Sequence, residues 1–278
     1  MMPVNITIFN ITIPLYYVGY ILAFPACVVF NASYYRKCYA LGNMKMIFIT
    51  MFGLNMSYLS LLLLSAILRG HVVHGFNWVR VIGFMPIMWM PAALLSRTKY
   101  RTLMDFSTPS AGISNLLAHI GCIFAGCCNG YSIEIYPSWM QWMGIYNNSK
   151  SAYLFPIQLV EVAIMLAILI MIVCWAKSKK FQTNGRTYPV YLILFSVTRF
   201  FCEFLRDNTK VAGPLSEFSF WCIGWTVVGI IWLRILKVID KKKADVAIEP
   251  ADLEDDVPTD ANGDPSVGAS AAVTSGTE

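Results

Sequence analysis

Residues 198–206 read Thr-Arg-Phe-Phe-Cys-Glu-Phe-Leu-Arg, and this stretch decides what kind of fold the chain adopts. Arg199, Glu203 and Arg206 are spaced i, i+4 and i+7, so on a helix they form one polar stripe in an otherwise apolar segment. Each such charge costs on the order of 2.5–3.5 kcal/mol at the centre of a membrane helix. The stripe therefore indicates a site for a lipid, an ion or a substrate within a membrane. An Arg199–Glu203 pair that only joins two helices is the alternative.

The composition around this stretch is that of a membrane protein. Of the 278 residues, 57% are hydrophobic and 13% are charged, which is too apolar for a soluble domain. Stretches long enough to cross about 30 Å of hydrocarbon occur at residues 14–32, 44–68, 80–96, 109–126, 156–175, 188–205 and 217–236. We therefore predict an all-α polytopic membrane protein with seven transmembrane helices.

The fourth of these stretches is interrupted by polar and small residues. They are Ser110, Gly112, Ser114, Asn115, His119 and Gly121. A partly unwound or re-entrant segment is therefore a second interpretation of residues 109–126, provided that other helices surround it.

The distribution of charge predicts the orientation and a terminal tail. Fifteen of the 21 Lys and Arg residues lie in loops that share one side, which places the N-terminus outside and the C-terminus in the cytoplasm. Nine of the 16 Asp and Glu residues lie beyond residue 243, in a segment rich in Ala, Ser, Gly, Thr and Pro. We therefore predict a seven-helix membrane domain at 1–243 and a disordered acidic cytoplasmic tail at 244–278. Outside the membrane-flanking loops no basic block is interleaved with aromatics, which argues against nucleic-acid binding.

A second notable segment, residues 118–130, reads Ala-His-Ile-Gly-Cys-Ile-Phe-Ala-Gly-Cys-Cys-Asn-Gly. Its histidine and three cysteines allow a zinc or iron–sulfur site, but adjacent cysteines are poor tetrahedral ligands, so we expect no metal. A disulfide that involves Cys127 or Cys128 on the outer side stays open. His119 is either a base or phosphate donor, or a neutral core histidine bonded to a backbone carbonyl.

Four blocks of the chain occur in a characteristic order. They are Ile13-Pro14-Leu15-Tyr16; Asp105 and Pro109 followed by the segment 119–130; Pro156-Ile157-Gln158-Leu159-Val160-Glu161; and Gly185 and Tyr191 followed by the segment 199–206. Together they resemble the bacterial prolipoprotein diacylglyceryl transferase family over roughly residues 13–236. Members of that family move the diacylglyceryl group of phosphatidylglycerol onto the lipobox cysteine thiol of a lipoprotein precursor, and glycerol phosphate is released.

The resemblance implies an enzyme of the bacterial cytoplasmic membrane. Its partners are phosphatidylglycerol and the signal peptides of lipoprotein precursors, and it needs neither a cofactor nor a metal. Arginines would stabilise the phosphate leaving group, and a carboxylate or histidine would orient an arginine or help to take the thiol proton. The implied catalytic residues are His119, Arg199 and Glu203, and the implied substrate-binding residues are Arg206, Arg80, Glu161, Gln158, Asn129 and Gly126. A polar contact between helices through Gln158 and Glu161 is the alternative for that block.

Two departures from the family pattern affect the predicted site. The family usually has an arginine where this chain has His119, and its histidine–glycine motif at the start of the third span is missing from Asn77-Trp78-Val79-Arg80-Val81-Ile82-Gly83. Arg and His differ in charge and in donor number, so the exchange matters. We predict that the charges have traded places, with Arg80 supplying the cation and His119 the imidazole in one pocket.

The sequence leaves two other functions open. A non-catalytic paralogue would keep Arg199, Glu203 and Arg206 to bind an anionic phospholipid. A small proton-coupled permease would also suit an intramembrane Arg–Glu pair, although we find no internal repeat. The aromatic-rich loop at 127–155 is expected at the outer interface, where it either covers a substrate entrance or anchors the protein.

Overall fold

In a computed structural model the chain is mostly helical. The structure describes residues 5–8, 11–32, 42–69, 78–147, 150–177 and 184–248. Within these residues there are seven α-helices, and each overlaps one of the apolar stretches predicted from the sequence. They are α1 (Leu15–Phe30), α2 (Asn43–Arg69), α3 (Trp78–Ser96), α4 (Tyr100–Ala125), α5 (Ile157–Lys177), α6 (Thr187–Glu203) and α7 (Glu217–Ile248).

Three of these helices are long and apolar enough to cross a membrane. Among the described residues, these candidate spans are Trp78–Ser96, Ile157–Trp175 and Glu217–Lys242, while Ile21–Phe30 is a shorter apolar helix. Large apolar side chains also cover outward faces, with Leu94 and Ile231 both more than half exposed. Such surfaces are unfavourable in water and favourable against lipid, so the structure shows a helical membrane protein.

Helix α4 lies at the centre of the bundle, where it contacts α1, α2, α3, α5 and α6. It is one continuous helix from Tyr100 to Ala125, so the partly unwound interpretation of residues 109–126 is wrong. The polar residues that motivated that interpretation find partners on neighbouring helices. Asn31, directly after α1, for example, donates to the Ser110 hydroxyl at 2.9 Å and to the Thr50 hydroxyl of α2 at 2.8 Å. Tertiary packing thus outweighs the weak local helix preference of this segment.

The apolar core is formed mainly by α3, α4 and α6. Its largest fully buried side chains in these helices are Ile82, Met85, Trp89, Leu103, Met104, Phe106, Tyr188 and Phe195. The Tyr188 hydroxyl donates to the Ile82 carbonyl oxygen at 2.6 Å, which satisfies the polar tip of a buried ring. This core fixes the positions of α4 and α6, the two helices that carry most of the unusual charges.

A buried carboxylate on α4 anchors the beginning of α6. Asp105 accepts backbone N–H donors from Gly185 at 2.8 Å and from Thr187 at 3.0 Å. The first N–H groups of a helix have no partner within the helix, so this carboxylate serves as a capping group supplied by a neighbouring helix. The contact fixes α6 against α4 at the end opposite to Arg199.

Three small hairpins connect or precede the helices. They are β1 (Asn5–Ile8) with β2 (Ile11–Pro14), β3 (Ile145–Asn147) with β4 (Ala152–Leu154), and β5 (Lys210–Ala212) with β6 (Leu215–Ser216), all antiparallel. The loop from α4 to α5 also contains two 3-10 helices, Ile133–Ile135 and Ser138–Met143. In this loop Trp139 and Trp142 are 70% and 80% exposed, whereas Tyr136 stacks on Phe155.

The chain divides by internal packing into Met1–Leu236 and Lys237–Glu278. All the helical contacts described above belong to the first unit. In the second unit the described residues are helical as far as Ile248, so helix extends beyond the boundary that the sequence predicted at residue 243. The rest of the predicted acidic tail, 249–278, lies outside the described residues.

Candidate functional site

The polar stripe that opened the sequence argument lies at the end of α6. This helix ends at Glu203, so the prediction of one helical stripe from Arg199 to Arg206 is wrong for its last member. After Glu203 the chain tightens into successive turns, and the Arg206 N–H donates to the Glu203 carbonyl oxygen at 3.3 Å. Arg206 then forms an antiparallel bridge with Gly130 of the loop after α4. The backbone turn, and not helical periodicity, positions the second arginine.

The carboxylate of Glu161 on α5 is the centre of the site. Its side chain is 2% exposed, and its two oxygens accept hydrogen bonds from Arg199 Nη1 and Arg206 Nη2. Arg206 Nε lies a further 3.2 Å from Glu161 Oε1, which makes the Arg206 contact bidentate. The structure therefore brings both predicted arginines onto one buried carboxylate. The sequence had given Glu161 as an implied substrate-binding residue and had not placed it at the centre of the network.

Glu203 forms a second, adjoining centre. Its Oε2 lies 3.1 Å from Arg199 Nη2, and its Oε1 accepts hydrogen bonds from the Ser216 hydroxyl at 2.7 Å and from the Asn208 amide. Arg199 is consequently held between Glu161 and Glu203. The i, i+4 pair proposed from the sequence is present, and it belongs to a larger buried network.

His119 lies on the same side of this network. Its Nδ1 is 2.9 Å from the Asn115 carbonyl oxygen, and its Nε2 is 3.7 Å from Glu161 Oε2. Because a carbonyl oxygen only accepts, Nδ1 carries the hydrogen and the neutral ring has its lone pair on Nε2. The backbone contact is the one expected of a core histidine. The same geometry orients Nε2 as a proton acceptor beside the two arginines.

Gly126, Asn129 and Gln158 form a network that holds the loop after α4. Gly126 ends the helix in the left-handed region at φ 64°, and its carbonyl oxygen accepts from the Asn129 amide at 2.6 Å. The Gln158 amide of α5 donates to the Cys127 carbonyl oxygen at 2.5 Å and to the Asn129 side-chain oxygen at 2.8 Å. These three predicted substrate-binding residues therefore contact one another, and together they position the loop beside Arg206.

Three thiols lie close together at the end of α4 and in the loop that follows it. The sulfur atoms of Cys122, Cys127 and Cys128 all lie within 4.8 Å of one another, and none of the three is in a disulfide. Cys128 also interacts with the guanidinium of Arg206. Hydrogen bonds from Cys122 and Cys127, and then the charge of Arg206, lower the pKa of the Cys128 thiol.

Arg80 contacts a different carboxylate from His119. Its guanidinium hydrogen bonds to Glu217 at the beginning of α7 and lies 5.6 Å from the Trp221 ring. These contacts join α3 to α7 through an ion pair and a cation–π interaction. A pocket shared by Arg80 and His119 stays a prediction.

The structure adds Lys210 to the residues selected from the sequence. Its ammonium group lies 3.3 Å from the Glu203 carbonyl oxygen, 3.5 Å from the Arg206 carbonyl oxygen and 5.7 Å from the Tyr131 ring centre. The sequence alone could not show that the β5–β6 hairpin folds back over the end of α6. The sequence signal that could have identified Lys210 is its position as a basic residue shortly after the intramembrane Arg199–Glu203 pair.

Comparisons with known proteins indicate the family of the chain. A family model described as prolipoprotein diacylglyceryl transferase matches residues 3–235. A protein named phosphatidylglycerol–prolipoprotein diacylglyceryl transferase 2 from Clostridium perfringens is 29% identical over 147 residues, which is 51% of this chain and 54% of that protein. A phosphatidylglycerol–prolipoprotein diacylglyceryl transferase from Clostridium tetani is 27% identical over 134 residues, which is 48% of this chain and 53% of that protein.

The chain spans about half the length of the curated relatives it matches. The family match is much longer and includes α1 to α6 and most of α7. It also contains every residue of the buried charge network, and it confirms the resemblance inferred from the four sequence blocks. The chain therefore belongs to the prolipoprotein diacylglyceryl transferase family.

Proposed function

We propose that this protein transfers the diacylglyceryl group of phosphatidylglycerol to the lipobox cysteine thiol of lipoprotein precursors. The observation that carries the proposal is the burial of Arg199 and Arg206 on one carboxylate, Glu161, in an otherwise apolar bundle. Burying a cation in such surroundings costs free energy, so a buried cation in a membrane protein marks a binding or reaction site by default. A lipid phosphate is the partner that family membership favours.

The proposed setting is the bacterial cytoplasmic membrane. All seven helices would cross it, with the N-terminus outside and the C-terminus in the cytoplasm, as the distribution of Lys and Arg predicts. Arg199, Arg206 and Lys210 would then lie toward the outer leaflet, where lipoprotein precursors emerge. The exposed Trp139 and Trp142 suit the headgroup level of that leaflet.

The charge balance of the network favours an anionic ligand. Glu161 and Glu203 offset the charges of Arg199 and Arg206, and Lys210 adds one positive charge beside them. A phosphodiester carries one negative charge and would neutralise this excess. Each guanidinium has five N–H donors, so an arginine that is oriented by a carboxylate still has donors for phosphate oxygens.

His119 is the proposed proton acceptor for the substrate thiol. With Nδ1–H bonded to the Asn115 carbonyl oxygen, Nε2 has the lone pair that a base requires. Glu161 lies 3.7 Å from Nε2 and would stabilise the imidazolium once it has formed. The thiolate then attacks the glyceryl carbon, a C–S bond forms, and the C–O bond to phosphate breaks with its electron pair going to glycerol phosphate. The arginines stabilise the charge that develops on the leaving phosphate.

A non-catalytic protein that binds an anionic phospholipid is the second candidate. The observation that favours it is the engagement of both arginines by Glu161, because a network that is complete without substrate suits a binding or structural unit. Both candidates predict lipid binding. They differ in whether a thiol is modified.

The experiment is complementation of bacteria depleted of their own transferase, followed by an assay with phosphatidylglycerol vesicles and a lipobox peptide. Wild-type protein should restore lipidation of a reporter precursor, and Arg199→Lys should lower the rate by about 10²–10³-fold, since it removes the planar fork that binds two oxygens. Lys150→Ala, at an exposed ion pair with Asp207, is the matched control and should keep full activity. Absence of thiol modification by well-expressed wild-type protein, with phosphatidylglycerol binding retained, would instead establish the non-catalytic candidate.

A further inference from the structure

The three thiols after α4 form a compact group of soft ligand atoms beside the charge network. Cys122 is buried in the last turn of α4, Cys127 is half-buried, and Cys128 is exposed. Their sulfur atoms lie within 4.8 Å of one another. Three sulfurs bound to one zinc ion at about 2.3 Å in tetrahedral geometry are separated by about 3.8 Å. The observed grouping therefore needs only small side-chain adjustments to reach that geometry.

The backbone conformation explains how two adjacent cysteines can both face one metal ion. Adjacent side chains ordinarily point apart, which is why the sequence argued against a metal. Here Gly126 has φ 64° and Cys128 has φ 60°, and this unusual conformation directs both thiols toward Cys122. A left-handed cysteine is uncommon and costs on the order of 1–3 kcal/mol. The Gln158 hydrogen bond to the Cys127 carbonyl oxygen holds the turn in place.

We propose that Cys122, Cys127 and Cys128 bind one zinc ion and leave its fourth position for the thiol of the lipoprotein precursor. Three protein ligands with one open position are the pattern of catalytic zinc, whereas structural sites have four. The exposure of Cys128 gives an incoming thiol access to this position.

The assignment of the fourth zinc position to the precursor thiol rests on the proposed function. Zinc held by the three cysteines would favour the thiolate form of a coordinated precursor thiol, and His119 would take the proton, since a coordinated thiol is deprotonated. The thiolate sulfur forms the C–S bond with the glyceryl carbon, and the C–O bond electrons leave with glycerol phosphate. The resulting thioether is a neutral and much weaker zinc ligand, so the product dissociates. No oxidant or reductant takes part.

The first test measures metal binding by the full-length protein in detergent under reducing conditions, with Co²⁺ alone as the spectroscopic probe. We expect one metal ion per chain, a thiolate-to-cobalt charge-transfer band, and displacement of cobalt by zinc. Cys128→Ser should weaken binding by more than about 100-fold, beyond the 10–100-fold that loss of an outer-shell partner costs. Cys174→Ser, at an exposed cysteine on α5, should bind as the wild type does.

Equal cobalt binding by wild type and Cys128→Ser would overturn the site, and so would a wild-type protein that binds no metal. Thermal unfolding of the Cys128→Ser protein checks its fold, and the exposure of this side chain predicts little change.

The second test adds a lipobox peptide to the cobalt-loaded protein without phosphatidylglycerol. A peptide with cysteine should change the cobalt spectrum, and the same peptide with serine should not. An unchanged spectrum with both peptides would overturn the open fourth position. Protein that binds metal but never transfers lipid would refute only the proposed function, whereas metal-free protein that transfers lipid at full rate would refute only the role of zinc in binding the precursor thiol.

Discussion

Replacement of Glu161 by Gln tests the role of this carboxylate as the centre of the buried network. The substitution keeps the shape of the side chain but removes its charge and one acceptor oxygen. Its new NH₂ group would face guanidinium donors, which cannot accept a hydrogen bond. Arg199 and Arg206 would both lose the partner that they share in the structure.

The expected loss of stability depends on which ion pairs each arginine retains after the substitution. Arg199 still has Glu203 at 3.1 Å, so most of the loss falls on Arg206, which is 3% exposed. Breaking one buried ion pair by removing one partner costs about 3–5 kcal/mol, because the other charge stays buried without compensation. We therefore expect the free energy of unfolding to fall by about 3–5 kcal/mol, and not by twice that amount.

Denaturant titration in detergent micelles, followed by tryptophan fluorescence, measures this change. Glu134→Gln is the matched control, because Glu134 is exposed on the short 3-10 helix, and we expect a change within about 0.5 kcal/mol. In a double-mutant cycle, adding Arg206→Gln to Glu161→Gln should cost much less than Arg206→Gln costs alone. If Glu161→Gln is as stable as Glu134→Gln, or if the two effects simply add, the shared-carboxylate argument fails.

Two further substitutions test the packing that positions the site. Gly83→Ala would place a Cβ against the Trp225 ring and should destabilise the protein by about 1–3 kcal/mol. Gly224→Ala meets nothing within 4 Å and should be neutral, and thermal unfolding of the two variants checks this difference. Asp105→Asn should cost about 1–3 kcal/mol and speed hydrogen exchange at the Thr187 amide, because the amide side chain keeps one acceptor oxygen for two backbone donors. Unchanged exchange at that amide would contradict the capping role.

The helices could be predicted from the sequence because apolar length is a local property. Each predicted stretch overlaps a helix among the described residues, although local polarity misled the interpretation of 109–126. Several polar side chains of α4 have partners elsewhere in the bundle, as with the Asn31 contact to Ser110, and such partners are invisible to a local pattern. The predicted helical position of Arg206 was wrong because a helix end depends on the turn that follows it.

The site could be predicted only in part, because its parts are distant in the sequence. Arg199 and Glu203 are one turn apart, so their pairing follows from helical spacing. The central place of Glu161 depends on how α5 packs against α6, which neither helix reveals alone. Lys210 and the thiol group depend in addition on how two loops fold back, and adjacent cysteines argued against the grouping that the structure shows.

The resemblance predicted that His119 stands where the family has an arginine, and this network determines what such an exchange would do. An arginine at that position on α4 would bring a third permanent positive charge to Glu161, which already holds Arg199 and Arg206. A neutral imidazole adds no charge while its Nε2 stays unprotonated, and it adds one only when it takes a proton. Such an exchange would turn a fixed charge into one that appears with proton uptake. In the proposed reaction this charge would arise beside the carboxylate when a substrate thiol becomes a thiolate, so the predicted departure from the family pattern is compatible with the proposed catalysis.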